Sequence, residues 1–278
     1  MGSTCFELTV DDHVAHLRLV RPDAYNTMIP EFWSELPELL SDLDRGSDAR
    51  VVVISSEGKH FTAGMDLSVF TGGSSLLGTK GVTETGRRNS VIWLAVQHLQ
   101  DSFTALERVR MPVLAAVQGG CIGGGVDMVC AADMRYATAD AFFCIQEINI
   151  GMTADVGTLQ RLPKLIPEGV AREWAYTGDR IPAARAKEVG FVNEVFDTQE
   201  EMVESVLAIA ARIARHSPLA IWGTKEMVNY TRDHSVADSL RYMAGWQSGM
   251  FQGTDMMEEF AAKADKRAPT FEEIPPRP

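Results

Sequence analysis

Two short apolar segments restrict the fold of this chain more than any other feature of its sequence. The segments RVVVISS (50–56) and VLAAVQG (113–119) are rich in β-branched and small apolar residues. Short runs of this composition, bounded by turn residues, are typical of buried strands. A turn with small residues and then a helical pattern follow each segment, as in GGGVDMVCAAD (123–133) after the second. The alternation of strands and helices predicts an α/β fold.

The rest of the chain divides into two parts by its pattern. Residues 6–20 alternate apolar and polar side chains like a β-hairpin, and residues 30–44 have helical spacing. The Gly/Ser/Thr-rich segment 71–86 is predicted to be a mobile loop. From residue 198 to the end, every pattern is helical. We therefore predict an α/β core of residues 1–197 and a C-terminal helical portion of residues 198–278.

The composition is that of an ordinary globular protein with an acidic surface. The 278 residues are 45% hydrophobic, and 26 Lys and Arg against 38 Asp and Glu give a net charge of −12, which argues against a nucleic-acid partner. No segment approaches the roughly 18 apolar residues of a membrane span, and the N-terminus has no export-signal pattern. We therefore expect a cytoplasmic protein without a membrane partner. Neither disulfides nor a zinc site are predicted, because four cysteines lie scattered without ligand spacing: Cys5, Cys121, Cys130 and Cys144.

Two turns containing glycine stand between a predicted strand and a predicted helix. They are GKHFTAGMDL (58–67) and QGGCIGGGVDM (118–128), and neither has the spacing of a nucleotide-binding loop. Unpaired backbone N–H groups at a helix start attract negative charge. The glycines alone fit a tight packing turn equally well. The presence of two such turns favours a site in which each aims one N–H at the same oxygen.

Several motifs resemble the crotonase superfamily, which comprises the enoyl-CoA hydratases and isomerases. The resemblance covers nearly the whole chain and rests on FTAGMDL, PVLAAVQGGCIGGGVDMVCAADMRYAT, FFCIQEINIGMTADVGTLQRLPKLI and the flanking RPDAYNTM, SPLAIWGTKEMV and DKRAPTF. Within the superfamily, the dienoyl-CoA isomerases are most similar in GGCIGGGVD, ADVGTLQRLPK and RDHSV. Those enzymes convert 3,5-dienoyl-CoA to 2,4-dienoyl-CoA. The resemblance implies a crotonase-like ββα/βαβ spiral core and a helical C-terminal portion that builds homotrimers or homohexamers.

The resemblance also implies a role for particular residues. The backbone N–H groups of Met65 and Gly124 would form an oxyanion hole for the thioester oxygen, where removal of a proton places negative charge. The hydratases have two Glu residues at the positions of Asp127 and Glu147 and a small uncharged residue at that of Asp155. Because a proton must leave carbon 2 and another must reach carbon 6, Glu147 is expected to be the base and Asp155 the acid. Asp127 would orient or electrostatically tune Glu147.

Other interpretations of these carboxylates remain open from the sequence. Asp155 has the position of a helix N-cap, Glu147 could be solvated before a turn, and Asp127 could be a paired structural acid. The alternative functions are enoyl-CoA hydration, in which Asp155 has no task, and dehalogenation of an aromatic acyl-CoA. The related dehalogenases resemble one another in an aromatic residue at the position of Glu147. A non-catalytic binding protein on the same scaffold is a third alternative.

Coenzyme A carries phosphates, so cationic side chains are expected near it. By resemblance, these are Arg21 and, near the C-terminus, Lys266 or Arg267. The substrate is expected to be an acyl-CoA, and coenzyme A is part of that substrate, with no metal or redox cofactor implied. Three further polar residues near the motifs are expected to be structural: His60, Asp66 and Asp133.

Overall fold

The strands form two sheets. The computed structural model describes residues 3–66, 68–71, 78–251 and 253–277, without the side chains of Phe70 and Thr71. The strands are Phe6–Asp11 (β1), Val14–Leu19 (β2), Val51–Ser56 (β3), Val113–Val117 (β4), Gly120–Ile122 (β5), Met134–Thr138 (β6), Phe142–Cys144 (β7), Ile181–Pro182 (β8) and Glu194–Phe196 (β9). The larger sheet has the order β1-β2-β3-β4-β6-β9, and the smaller one has the order β5-β7-β8. β1 and β2 are antiparallel, whereas β2, β3, β4, β6 and β9 run parallel.

Helices connect the parallel strands and form the C-terminal part of the chain. They are Pro30–Gly46 (α1), Ser68–Thr71 (α2), Thr85–Arg108 (α3), Gly124–Ala131 (α4), Thr158–Leu165 (α5), Glu168–Thr177 (α6), Ala183–Glu188 (α7), Gln199–Ala214 (α8), Pro218–Thr231 (α9), Val236–Met250 (α10) and Gly253–Asp265 (α11). Two short 3-10 helices span Pro22–Ala24 and Gln146–Ile150. Among the described residues, none of these helices combines the length and apolarity needed to cross a membrane.

Apolar side chains cover both faces of the larger sheet, which explains the continuous apolar pattern of its central strands. All residues of β3 and β4 are buried, as expected where helices cover both sides of a parallel sheet. On one face, α1, α3 and α4 pack around Trp33 and Phe103. On the other face, Met202 and Val206 of α8 pack against Val53. The boundary at residue 197 stays a prediction, and the helix directly after it packs on the sheet.

A buried lysine fastens α9 to the core. The Nζ of Lys225 donates to the carbonyl oxygens of Leu106 and Met111, at 2.7 and 2.8 Å, and lies 2.9 Å from Oδ2 of Asp133. Burial lowers the pKa of Lys225, and the charge of Asp133 opposes that change. By contrast, α10 has no buried residue in the chain taken by itself.

The structure confirms the α/β class and most of the predicted elements, with one difference. The predicted loop 71–86 ends where α3 begins at Thr85, and residues 72–77 lie outside the described residues.

Candidate active site

Two backbone turns lie side by side where β3 and β4 end. The N–H of Thr62 donates to the carbonyl of Gly120, and the N–H of Ile122 donates to the carbonyl of Thr62, both at 3.1 Å. The carboxyl ends of parallel strands meet at one edge of the sheet, which is where open α/β folds bind ligands. These turns are the two that the sequence singled out.

Glycine is required in both turns because they approach each other closely. Gly64 has φ +84°, and a Cβ built on it would lie 2.6 Å from the carbonyl oxygen of Ile122 and 3.5 Å from the backbone nitrogen of Gly124. Gly123 has φ +53°, in the left-handed region that other residues rarely adopt. A side chain at Gly64 would therefore push the two turns apart.

The predicted oxyanion donors, Met65 and Gly124, come together in these turns. Gly124 is the first residue of α4, where a helix leaves N–H groups without an intrahelical acceptor and carries partial positive charge. Met65 forms a bridge with Met28 that uses the carbonyl of Gly64 and the N–H of Asp66. Neither Met65 nor Gly124 donates its N–H to a backbone carbonyl among the described residues. This lack of a backbone acceptor is what an oxyanion donor requires, and the role of the two groups stays a prediction.

Asp127 lies in the first turn of α4 and is fully buried. Its Oδ1 accepts a 2.6 Å hydrogen bond from the backbone N–H of Thr158, the first residue of α5. Its Oδ2 has no hydrogen-bond partner among the described residues. Burial raises the pKa of Asp127 to about 6, although the bond from Thr158 and the charge of Arg161 lower it. Asp127 thus has a structural hydrogen bond on one oxygen, and its other oxygen is buried without a donor among the described residues.

Glu147 lies in the 3-10 helix Gln146–Ile150, with its carboxylate turned toward the glycine turn. Its Oε1 would be 3.2 Å from a Cβ built on Gly123, and its Oε2 is buried without a partner among the described residues. Burial, followed by the negative charges of Asp127 and Asp155, raises the pKa of Glu147 to about 7. A carboxylate whose pKa is close to neutral is suited to take up and release a proton.

Asp155 is the most exposed of the three carboxylates. Its carbonyl oxygen accepts a 2.7 Å hydrogen bond from Nε2 of Gln100 on α3. The N-cap of α5 is Gly157 and makes no side-chain cap bond, so the helix-cap interpretation of Asp155 does not hold. Partial burial raises the pKa of Asp155, and its charge in turn raises the pKa values of Asp127 and Glu147. The three carboxylates therefore form one electrostatic group.

The predicted coenzyme A contacts lie in two places. Arg21 donates from Nη1 to the carbonyl of Thr27 at 2.6 Å, directly before Met28, which forms the bridge with Met65. Lys266 and Arg267 follow α11, and Arg267 is paired with Glu258 at 2.6 Å. Their contacts within the described residues link them to the C-terminal segment and not to the carboxylates. Their role toward coenzyme A stays a prediction.

The three polar residues expected to be structural have partners that fit this expectation. Nδ1 of His60 accepts a 2.8 Å hydrogen bond from the N–H of Gly120. Asp66 accepts bonds from a side-chain hydroxyl and from the backbone after it. Asp133 pairs with Lys225 and accepts from the N–H that begins β4. Each of these side chains holds the turns or the sheet in place.

Sequence reasoning missed the residues that support the carboxylates. The N–H of Thr158 is a backbone group, and no sequence pattern identifies such a partner. Gln100 and Glu107 are seven residues apart, on the same face of α3, and this spacing could have identified them as a pair. Arg161 lies in the amphipathic helix α5, where a basic residue on the polar face is ordinary.

Two dienoyl-CoA isomerases from other organisms are similar to this chain over most of its length. A mitochondrial Delta(3,5)-Delta(2,4)-dienoyl-CoA isomerase of Homo sapiens is 43% identical over 92% of this chain and 77% of its own. A peroxisomal Delta(3,5)-Delta(2,4)-dienoyl-CoA isomerase of Arabidopsis thaliana is 39% identical over 95% of this chain and 94% of its own.

The names of these relatives contradict the cytoplasmic location predicted from the sequence, because they place the proteins in mitochondria or peroxisomes. The prediction was wrong for a physical reason. Unpaired cysteines and an acidic, globular composition indicate a reducing interior. They do not distinguish one reducing compartment from another.

A solved structure and a family model identify the fold and the family. The crystal structure of an enoyl-CoA hydratase from Bacillus anthracis superimposes with a TM-score of 0.85 at 27% identity, over 96% of this chain and 99% of the other. This similarity confirms the predicted crotonase-like fold. The family model described as enoyl-CoA hydratase/isomerase matches residues 9–274. With this match over nearly its whole length, the chain belongs to the enoyl-CoA hydratase/isomerase family.

Proposed function

We propose that this protein isomerises 3,5-dienoyl-CoA to 2,4-dienoyl-CoA. The observation that carries this function is the third carboxylate, Asp155, which shares an electrostatic site with Glu147 and Asp127 and does not cap a helix. Hydration of an enoyl-CoA gives Asp155 no task. The relatives named dienoyl-CoA isomerase, at 39% and 43% identity, support the same enzyme class. Enoyl-CoA hydration is not favoured.

The proposed reaction moves the two conjugated double bonds from carbons 3 and 5 to carbons 2 and 4 by two proton transfers. Glu147 removes a proton from carbon 2, and the electron pair spreads through the diene onto the thioester oxygen. The N–H groups of Met65 and Gly124 stabilise that oxygen. Asp155 then delivers a proton to carbon 6, which leaves the double bonds at carbons 2 and 4. Exchange with solvent resets both carboxyl groups, and the high pKa of Glu147, about 7, makes this exchange feasible near neutral pH.

Asp127 has an electrostatic role in this proposal. It is fully buried and its negative charge raises the pKa of Glu147, so that Glu147 is basic enough to remove a carbon-bound proton. The proposed reaction changes no oxidation state, and its acid and base belong to the chain. We therefore propose that it requires neither a metal ion nor a redox cofactor. The acyl-CoA substrate is consistent with the family, and Arg21, which is bonded to Thr27 beside the Met28–Met65 bridge, is a proposed coenzyme A contact.

We also propose that the protein forms a homotrimer or homohexamer through its C-terminal helices. Large apolar side chains of α10 and α11 are exposed in the single chain: Val236 (71%), Leu240 (65%), Met257 (59%) and Phe260 (58%). Soluble proteins rarely expose such a group of residues without a partner. Sedimentation equilibrium at micromolar concentration is expected to give three or six chains, and a monomer would contradict the proposal.

The proposed function is tested by comparing two substrates. The purified protein is expected to isomerise a synthetic 3,5-dienoyl-CoA far faster than it hydrates crotonyl-CoA, because Asp155 serves the first reaction only. Conjugation of the diene with the thioester moves the ultraviolet absorption band to longer wavelength, which gives the rate. Hydration at an equal or higher rate would contradict the assignment.

A second test uses Gly124→Val, which alters the proposed oxyanion hole without changing a carboxylate. A Cβ at Gly124 would lie 2.9 Å from Sδ of the fully buried Met28, so the valine must shift either the Met28 side chain or the backbone that carries the N–H, and its own branches narrow the space for the thioester. Loss of one oxyanion donor lowers kcat by roughly 100- to 1,000-fold. Circular dichroism should confirm that the variant is folded. A near-normal rate in the folded variant would remove Gly124 from the oxyanion hole.

A further inference from the structure

A network of charged side chains joins α3, α5 and α9 beside the turn that carries Asp155. Oε2 of Glu107 accepts from Nε and Nη2 of Arg161 at 3.1 and 2.7 Å, and its Oε1 accepts from Nη1 of Arg232 at 2.6 Å. The three side chains are largely buried, with exposures of 14% for Arg161, 19% for Glu107 and 23% for Arg232. The two bonds from Arg161 converge on one charged carboxylate oxygen, and such charge-assisted bonds are stronger than bonds between neutral groups.

The guanidinium of Arg161 covers the backbone of Gly157. A Cβ built on Gly157 would lie 1.9 Å from Nη1 of Arg161, and Gly157 has φ +137°. The backbone N–H of Arg161 also donates to the carbonyl of Gly157 at 3.1 Å. Gly157 is therefore the residue that lets the arginine side chain lie directly on the turn.

The residues on both sides of Gly157 serve the active site. The next residue, Thr158, donates its N–H to Asp127. The carboxylate of Asp155 stands two positions earlier, and its carbonyl is held by Gln100. A displacement of Gly157 would therefore move both Asp155 and the bond that holds Asp127.

This side of the turn faces a cleft and not a packed core. The cleft has a volume of about 770 Å³, and its lining includes Gln100, Val156, Gly157, Arg161 and Arg232. Val156 is buried in the apolar core, so apolar packing holds the turn on one side, and the cleft leaves it room to move on the other. On the cleft side, the turn is restrained by the contact of Arg161 with Gly157 and by the bond from Gln100 to the carbonyl of Asp155.

We propose that Arg161, held by Glu107 and Arg232, is a positioning residue that fixes the turn from which Asp155 protonates carbon 6. This inference rests on the proposed isomerisation. The same guanidinium acts electrostatically on the neighbouring acid, since its charge lowers the pKa of Asp127 against the effect of burial. Arg161 therefore influences two carboxylates without touching the substrate.

The test uses Arg161→Met and Glu107→Gln with 3,5-dienoyl-CoA as substrate. A misplacement of about 1 Å in a reacting group can lower the rate by about 100-fold, so kcat should fall by about that factor while KM stays within about threefold. Exchange of the carbon 2 hydrogen with deuterated solvent should fall much less, because Glu147 is not on this turn. Arg161→Lys keeps the charge and should restore part of the rate. Asp101→Asn is the matched control, since it removes an exposed ion pair of α3, with Arg108, and should leave both rates unchanged.

A second readout does not depend on turnover. The pKa of Asp127, followed by carboxyl carbon NMR and assigned with Asp127→Asn, should rise in Arg161→Met. Normal isomerisation by Arg161→Met, or an equal loss of isomerisation and exchange, overturns the proposal. If the wild-type protein isomerises no 3,5-dienoyl-CoA, the proposed function fails. In that case an unchanged Asp127 pKa overturns the link between Arg161 and this carboxylate, and a raised pKa supports it.

Discussion

Glu147→Gln is expected to lose both isomerisation and the exchange of the carbon 2 hydrogen with solvent. Glutamine keeps the shape of the side chain but cannot accept the proton. Asp127 is not expected to replace it as the base, because Asp127 is fully buried and one of its oxygens is bonded to Thr158. The loss should be roughly 100- to 10,000-fold, the range for a positioned acid or base. Ultraviolet absorption measures isomerisation, and proton NMR in deuterated water measures exchange. Exchange that persists in the variant would mean that another group is the base.

Thermal unfolding separates this loss from a folding defect. The pKa of Glu147 in the folded protein is about 7, well above the value of about 4.3 for an exposed Glu. Because the folded state holds the proton more tightly, its stability falls as pH rises between these two values and stays reduced above them. Removing the charge at pH 8 should therefore leave Tm equal or higher. At pH 4, the Glu147 carboxyl is mostly protonated in both the folded and the unfolded protein, so the gain in Tm should disappear.

Asp155→Asn is expected to lower net isomerisation by roughly 100- to 10,000-fold while some exchange at carbon 2 remains. Asparagine keeps the size and hydrogen bonding of the side chain but cannot deliver a proton to carbon 6. Glu147, Met65 and Gly124 are unchanged, so the first half of the reaction is still possible. The measurements are the same two assays, performed on one preparation of the variant.

The ratio of the two rates decides the role of Asp155. A residue that only supports the turn would lower exchange and isomerisation together, whereas the acid at carbon 6 lowers isomerisation selectively. Normal isomerisation in Asp155→Asn would show that carbon 6 receives its proton from another group. The reaction would then need only the carboxylates that a hydratase also has.

Local sequence patterns predicted the strands and helices, but they did not predict which strands pair with one another. β3 and β4 were predictable because all their residues are apolar or small and all are buried. Within the segment 134–144, β6 pairs with β4 and β9 in the larger sheet, whereas β7 pairs with β5 and β8 in the smaller one. A strand of three residues does not specify its partner, since the partner depends on how distant segments meet.

The site was predictable to the extent that chemistry lies in side chains of a recognisable motif. Glu147 and Asp155 stand in one such motif, and the structure places their charges close enough to act on each other. The bond from the Thr158 N–H to Asp127 involves a backbone group, and the contact between Arg161 and Gly157 depends on the path of a turn. Neither leaves a pattern in the sequence, because each arises only when α3, α4 and α5 have packed together.

The two turns that carry the proposed oxyanion donors, Met65 and Gly124, also link the recovery of activity to the completion of folding. Their N–H groups come from positions far apart in the chain and are aligned only once β3 and β4 have paired and Gly64 rests against Ile122. Parallel pairing of distant strands forms slowly, because a long loop must close first. During refolding, helical signal should therefore return before activity does. A collapsed intermediate with native helices would bind no enolate, so the recovery of turnover marks the moment at which the sheet edge is complete.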